Sequence, residues 1–418
     1  MIKAWFDIKL WKRILIALLL GVIVGSLWGE GAASIKWIGD IFVRLIRMIV
    51  VPLVFVTLAS GVVAMGDPKK LGSIGWKTMT MYIGTTAVAI VIGLVLATVI
   101  HPGSAEIGVS MMGSTPNASI MEVVPLSERM MNIVPKNPIA ALANGDMLAV
   151  IFFAVMVGAG MMLAGDKAKP LANVVEAGSE VMLKITHMVM EMAPFGVFAL
   201  IAAVTGTQGI GALAGVVPMA VTLVIGFILQ IIITHGMIIK LLLKLPISRF
   251  FKDIIDAQLV AFSTSSSSAT MPVTITVAED NLGIKSSVAS SVIPLGATIN
   301  MDGTGLYVGV VTIFTAQSLG IDLTLMHYGL IALTTTLVSI GTAAVPSASL
   351  FLLAGVLGVI GVSAEQTALV VGFLLPFDRP LDMMRTVVNV TGDLSVATAV
   401  AKWEGELDED VFKADPKI

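Results

Sequence analysis

Long apolar runs alternate with short polar breaks along most of this chain. Six runs come first, at residues 12–28, 35–65, 76–101, 146–164, 171–204 and 213–243. About 20 apolar residues are enough for a helix to cross a bilayer, so each run reads as a membrane span and the longest as tilted ones. Residues 102–138 are polar and contain Gly and Pro, which predicts an external loop leading into a short broken helix. Beyond Phe251 the pattern changes. Residues 253–276 are interrupted at 263–272 (STSSSSATMP), and residues 330–360 at 339–349 (SIGTAAVPSAS). Each is too interrupted for an ordinary span and predicts a helical hairpin that enters and leaves on one side. A long apolar helix with a polar cluster follows each, Asn300-Met301-Asp302-Gly303-Thr304 after the first and Asn389-Val390-Thr391-Gly392-Asp393 after the second. Interrupted segments at matching places in two halves point to the binding site of a secondary transporter. The expectation is an all-α integral membrane protein with eight transmembrane helices plus two re-entrant helical hairpins, arranged as inverted repeats.

The last apolar stretch carries a polar stripe. Asp378, Asp382, Arg385, Thr386, Asn389 and Asp393 lie at offsets 0, 4, 7, 8, 11 and 15, a spacing that stacks them on one helix face. A charged group at the centre of a membrane helix costs roughly 2.5–3.5 kcal/mol on insertion scales. Such groups normally face a protein-lined cavity and mark a substrate or ion pathway.

Composition narrows the class. Of 418 residues 56% are hydrophobic and 13% charged, too little charge to cover a soluble surface of this length. Net charge is −3, with no basic stripe or tail, so no nucleic-acid partner is expected. Cysteine is absent, which removes disulfides, thiolate metal sites and a cysteine nucleophile. His101, His187, His235 and His327 are scattered without metal-ligand spacing, which argues against a metalloenzyme. The 25 methionines read as soft packing filler. Gly21 and Gly25 form a GxxxG spacing, which arises often by chance in apolar helices and is given little weight. Lys3, Lys9, Lys12 and Arg13 precede the first run and no small-residue cleavage motif follows it, so a first span is expected and not a removed signal peptide. Basic residues recur in alternate loops, at Lys69, Lys70 and Lys77, at Lys167 and Lys169, and at Lys240, Lys244, Arg249 and Lys252. That alternation places both termini in the cytoplasm, with a charged, mobile tail over residues 402–418.

The chemistry sits in the interrupted half. Hydroxyls of Ser265 to Ser268, with the free N–H groups of a helix start, suit a carboxylate. Asp302 and Gly303 in mid-run predict unwinding inside a span, which frees carbonyls beside a negative charge for a hard cation. Residue types there do not distinguish sodium from other small cations. Arg385 offers a planar fork for a carboxylate, and Asp382, one turn earlier, suits a protonated amine. Together they match an amino acid with an acidic side chain. The bland alternative is a set of internal ion pairs, Asp378–Arg379 or Asp382–Arg385. An intramembrane serine hydrolase lacks a base in either hairpin, and a channel fits the hairpins less well than alternating access does.

The chain resembles the glutamate-transporter homologues, the dicarboxylate/amino acid:cation symporters that include archaeal aspartate transporters and excitatory amino-acid transporters. The resemblance covers nearly the whole chain. It is carried by RMIVVPLVFVTLASGV from Arg47, the serine tip, PLGATINMDGT from Pro294, SIGTAAVP from Ser339 and LDMMRTVVNVTGD from Leu381. Archaeal members of that family are among the proteins from which the rule about paired interrupted segments was drawn. By position the resemblance implies substrate contacts at Ser265, Ser267, Thr304, Val345, Asp382, Arg385, Thr386 and Asn389. It implies one sodium site at Gly296, Asn300, Asn389 and Asp393, and a second at Thr298, Met301, Ser339, Ile340 and Thr342. A third would use Tyr82, Thr85, Thr86, Asn300 and Asp302. It further implies a homotrimer working as an elevator-type transporter. Residues 1–248 would be mainly scaffold, with the third and sixth spans partly in the transport unit. Residues 249–403 would be the moving core, with the second hairpin as outer gate, and 404–418 a cytoplasmic tail.

Three departures from the family pattern matter. Archaeal members carry an arginine where this chain has Ser265, and animal members one where it has Met383. Arg379 is the nearest residue to fill that electrostatic role. The second hairpin tip reads VPSAS where archaeal relatives have glycines. Val308 stands where animal members place a proton-linked glutamate, and Asp393, often missing from proton-coupled bacterial relatives, favours sodium. The expected function is sodium-coupled symport of glutamate or aspartate in a plasma (inner) membrane, with no enzymatic activity. The alternative is a proton-coupled or C4-dicarboxylate symporter of the same family. A neutral substrate would leave Arg385 unpaired.

Overall fold

The computed structural model describes residues 8, 10–64, 72–104, 107, 131, 134–340, 348–414 and 416. Among them the fold is all-helical, with a single isolated antiparallel bridge between Ile284 and Leu407. The first half contains α1 (Leu10–Trp28), α2 (Lys36–Ala64), α3 (Gly72–Ile100), α4 (Pro138–Asn144), α5 (Met147–Ala164), α6 (Lys169–Met190), α7 (Ala193–Gln208) and α8 (Val217–Leu229). The second half contains α9 (Ile247–Asp253), α10 (Ile255–Thr264), α11 (Ser267–Asp280), α12 (Ser286–Ile299), α13 (Asp302–Ser318), α14 (Leu325–Ile340), α15 (Ala348–Val359), α16 (Ala364–Glu404) and α17 (Glu409–Lys413).

The apolar runs became helices because most of their side chains cannot compete for backbone hydrogen bonds, and special residues mark their ends. Asn137 caps α4 by accepting from the N–H groups of Ile139 (2.9 Å) and Ala140 (3.2 Å). Ser363 and Gln366 form a reciprocal capping box at the start of α16. Among the described residues four stretches are long and apolar enough to cross a membrane: Lys12–Phe42, Gly72–Ile100, Ala149–Met190 and Val217–Leu242. The α16 helix has 41 residues, roughly 60 Å at 1.5 Å per residue, and its polar stripe dilutes its hydropathy.

Several expectations need correction. The fifth run is two helices, broken at Glu191 and Met192. There Arg13 of α1, buried at 3% exposure, donates to both carboxylate oxygens of Glu191 (2.7 and 3.1 Å). The sixth run continues past α8 as two wide π turns, Gln230–His235 and Ile238–Leu242. Lys77 lies within α3 and Lys240 within the second π turn, so neither is a loop charge; Lys69 and Lys70 fall outside the described residues. Most of the polar stretch at 102–138 also falls outside them. The GxxxG spacing is a packing face after all. A Cβ on Gly21 or Gly25 would press on the backbone carbonyls of Phe198 or Ala202 in α7.

The expected mobile tail is docked. Beyond α16 the backbone N–H of Lys285 donates to the Glu406 carbonyl (3.0 Å), and that of Asp408 to the Gly283 carbonyl (2.8 Å). Phe412 of α17 is fully buried in the cluster that holds Phe250, Ile254, Leu282 and Ile284. A charged segment stays put here because one large apolar side chain and backbone pairing outweigh its solubility. The core of the molecule is α13, buried along almost its whole length and touched by α3, α8, α14, α15 and α16.

Candidate functional site

The stripe on α16 is buried and faces protein. Asp378, Asp382, Arg385, Thr386, Asn389 and Asp393 are each at most 4% exposed. Asp378 and Arg379 sit about four turns inside the helix, which runs on through Pro376 and Pro380. Arg379 Nη1 donates to Asp382 Oδ2 at 2.9 Å, and Arg385 Nη2 donates to Asp382 Oδ1. Arg385 also lies 3.9 Å from Asp378 Oδ1, donates to the Ser349 hydroxyl at the start of α15, and places its guanidinium 4.8 Å from the centre of the Tyr307 ring. Asp382 and Arg385 thus do form the internal pair of the bland alternative. They are one turn apart and share a buried face, so the same two groups present a carboxylate and a guanidinium to anything that enters between them.

A second cluster surrounds the break between α12 and α13. Asn300 and Met301 leave helical geometry (φ −83°, ψ 85° and φ −114°, ψ 49°), so the span does unwind, but just before the Asp302–Gly303 pair at which the sequence predicts it; that pair already opens α13. Asn300 Nδ2 donates to the Asn389 carbonyl (3.1 Å) and to Asp393 Oδ1 (2.9 Å). The Gly303 N–H, at the positive end of α13, donates to Asn389 Oδ1 at 2.8 Å. Asp302 Oδ1 accepts from the hydroxyls of Thr85 (3.2 Å) and Thr86 (2.7 Å) in α3. Its Oδ2 accepts from Gln230 Nε2 (3.1 Å) and lies 3.2 Å from His235 Nε2. Tyr82 is wholly buried and donates to the Val292 carbonyl (3.0 Å). Close approach makes this cluster. A Cβ on Gly296 would meet Asp393 Oδ1 and the Tyr82 hydroxyl, and one on Gly303 would meet the Arg385 carbonyl.

Asp302 and Asp393 are buried at 0% and 1% exposure, and neither has a Lys or Arg partner among the described residues. No group of three or more His, Cys, Asp or Glu occurs among them either. A cation here would rest on one or two carboxylates plus hydroxyl, amide and carbonyl oxygens, a hard, weakly charged set with no preference for transition metals.

The serine tip joins α10 to α11 more tightly than its composition suggests. Only Ser265 and Ser266 are non-helical; Ser267 and Pro272 already lie in α11. Ser265 takes the left-handed conformation (φ 53°), a strained choice for a residue with a Cβ, and its hydroxyl is buried without a hydrogen-bond partner among the described residues. Ser266 caps α11 through the Ala269 N–H (3.1 Å). Gln258, about two turns before the tip, donates to Thr391 of α16 (3.0 Å) and ties α10 to the striped helix.

The remaining positions divide. Thr304 donates to Met301 Sδ (3.8 Å), as does Asn389 Nδ2 (3.3 Å), and Thr386 donates to the Asp382 carbonyl (2.9 Å). Thr298 and Ser339 bond carbonyls of their own helices, α12 and α14, which touch. Ile340 ends α14, while Thr342 and Val345 lie outside the described residues. Sequence reasoning missed Gln230, His235, Ser395, Tyr307 and Ser349. The Ser395 hydroxyl lies 2.8 Å from His235 Nδ1, which links α16 to the π turn. Lone polar residues in an apolar run were the available signal. The π turn, a geometry frequent at functional sites, brings Gln230 and His235 to one carboxylate although they are five residues apart.

Buried charge inside a bundle of apolar helices marks a substrate or ion pathway, the arrangement a membrane transporter needs. The chain belongs to the Sodium:dicarboxylate symporter family, whose model matches residues 10–403. It is therefore a symporter and not an enzyme. It is 37% identical over 405 residues to the proton/sodium-glutamate symport protein of Bacillus subtilis, covering 94% of this chain and 92% of that one. Identity to the proton/glutamate-aspartate symporter of Escherichia coli is 36% over 412 residues, covering 95% and 93%. Identity to the C4-dicarboxylate transport protein of Rhodospirillum rubrum is 32% over 411 residues, covering 96% and 90%.

Proposed function

We propose that this chain is a sodium-coupled symporter of acidic amino acids, glutamate and aspartate, that works as a homotrimeric elevator in a plasma (inner) membrane with both termini in the cytoplasm. The observation that carries the sodium assignment is the pair of buried carboxylates, Asp302 and Asp393, held only by hydroxyl, amide and imidazole groups among the described residues. An uncompensated charge in a dry site is costly, and a small cation among these oxygens removes the cost. The name of the B. subtilis relative supports the same coupling and substrate.

The substrate lies between the α10–α11 tip, the α12–α13 break and α16. Arg385 takes the side-chain carboxylate and Asp382 the amine, each exchanging its internal partner for one on the substrate. Ser265, Ser267 and the start of α13 receive the α-carboxylate, with Thr304, Thr386 and Asn389 lining the site. Sodium uses Gly296, Asn300, Asn389 and Asp393 at one position, and Tyr82, Thr85, Thr86, Asn300 and Asp302 at another. A further position uses Thr298, Met301, Ser339, Ile340 and Thr342. Residues 1–248 provide mainly scaffold and 249–403 the moving core. Ion and substrate each raise the other's affinity, a reciprocal coupling of about 1–3 kcal/mol.

A second reading, a proton-coupled or C4-dicarboxylate symporter, is favoured by the names of relatives of nearly the same identity. Uptake of radiolabelled aspartate into proteoliposomes separates them. Uptake driven by an inward sodium gradient is expected. Equal uptake with and without that gradient rejects sodium coupling, and stronger competition by succinate than by unlabelled aspartate rejects the substrate.

A further inference from the structure

Asp382, the group assigned to the substrate amine, is held by two guanidinium groups. Arg379 Nη1 donates to its Oδ2 at 2.9 Å while Arg385 donates to its Oδ1. The Arg379 side chain is 8% exposed, and its Nε has no hydrogen-bond partner among the described residues. With Asp378 at 1% exposure and 3.9 Å from Arg385, the two carboxylates and two guanidinium groups balance to zero charge on one face of α16.

That balance changes what the site asks of its substrate. An acidic amino acid brings two carboxylates and one ammonium. When its side-chain carboxylate engages Arg385, its ammonium engages Asp382. A four-carbon dicarboxylate lacks the ammonium, so Asp382 would face added negative charge with nothing to offset it. Arg379 supplies the offset from within the helix, because its bond to Oδ2 persists when Arg385 turns to the substrate. We propose that Arg379 is a specificity-determining residue: by holding one oxygen of Asp382 it sets how strongly the site demands an amine, and with it the preference between acidic amino acids and amine-free dicarboxylates. This rests on the assignment of Asp382 and Arg385 to the substrate. A purely structural pair between residues three apart on a helix would, in contrast, affect every substrate alike.

The test is competition in proteoliposomes holding the full chain, with sodium-driven uptake of radiolabelled aspartate and succinate as competitor. The wild type is inhibited by succinate. Arg379→Ala raises the ratio of the succinate inhibition constant to the aspartate KM by about tenfold or more, since a lost unit charge penalises the succinate dianion more than aspartate, whose ammonium leaves it a net monoanion. Arg379→Lys restores part of that ratio. Arg379→Gln, which keeps bulk and a donor without charge, behaves like Ala and carries the test if the Ala variant does not fold. An unchanged ratio in both neutral variants overturns the proposal, as does a wild type indifferent to succinate. A wild type that takes up no aspartate rejects the functional reading itself, whereas wild-type uptake with an unmoved ratio rejects only the role of Arg379.

Discussion

The contact between α1 and α7 and the contact between α13 and α16 are both close, for opposite reasons. In the first, Gly21 and Gly25 meet the backbone at Phe198 and Ala202, and on other sides of α7 Gly196 fits against Phe42 of α2 and Gly206 against Gly29, just past the end of α1. Apart from the Arg13–Glu191 pair at one end, that surface is held by shape. In the second, Gly303 lies under the Arg385 backbone, but polar partners surround it: Asn389 bonds Gly303 across the contact, Asn300 just before α13 bonds Asp393, and Arg385 bonds Asp382 along α16. An interface of shape offers nothing that a solute can replace. An interface of charges and amides offers a partner at each position, and the response to ions and substrate belongs there.

Substitutions can break or sharpen this contrast. Arg385→Ala should remove acidic-substrate binding, at a cost of about 3–5 kcal/mol for leaving Asp382 without its main partner; calorimetric titration of aspartate in saturating sodium measures it, and wild-type affinity would dissolve the distinction. Asp302→Asn should raise the sodium concentration for half-maximal uptake by about 5–150-fold, the range of one coupling free energy, while high sodium restores much of the rate. Gly25→Leu should cost about 1–3 kcal/mol of stability by overpacking, seen as a lower thermal midpoint, with sodium dependence unchanged. A shifted sodium dependence in that variant would mean that the two regions are not separable.

The smallest effect lies in the tail. Glu409 accepts hydrogen bonds from Lys402 (2.8 Å) and Lys413 (3.1 Å), which hold its carboxyl below the usual range. A depressed carboxylate stabilises the fold fully above its unfolded pKa of about 4.3 and loses that contribution as pH falls through the lower folded value. Solvent screening limits it to at most about 1 kcal/mol. The thermal midpoint of Glu409→Gln should therefore match the wild type at acid pH and fall slightly below it at neutral pH, with the difference closing in high salt.

What the sequence made legible follows its two strongest periodicities. Four of the six apolar runs appear as continuous helical paths, the stripe from Asp378 to Asp393 shares one buried face, and the span with the NMDGT cluster does unwind, at Asn300 and Met301 just before the expected Asp302–Gly303. Gln230 and His235 were hidden because a π turn breaks the 3.6-residue repeat that pattern reading assumes, and the isoleucines between them speak only of lipid. The long final helix passes through Pro376 and Pro380, as membrane helices permit when neighbours satisfy the freed carbonyls. Pairing was the least legible. Composition gave Arg379 two neighbouring carboxylates, and only coordinates show that it bonds Asp382.

The docked tail carries a consequence for how this molecule is made. Phe412 is translated after every long apolar helix, and it completes a cluster whose earliest member, Tyr82, lies in α3. Glu404 likewise reaches back to Lys77 and Ser73. Chain order therefore sets a time order: the contacts that join α16 and α17 to α3 and to residues 283–285 can close only after all the intervening helices have been made.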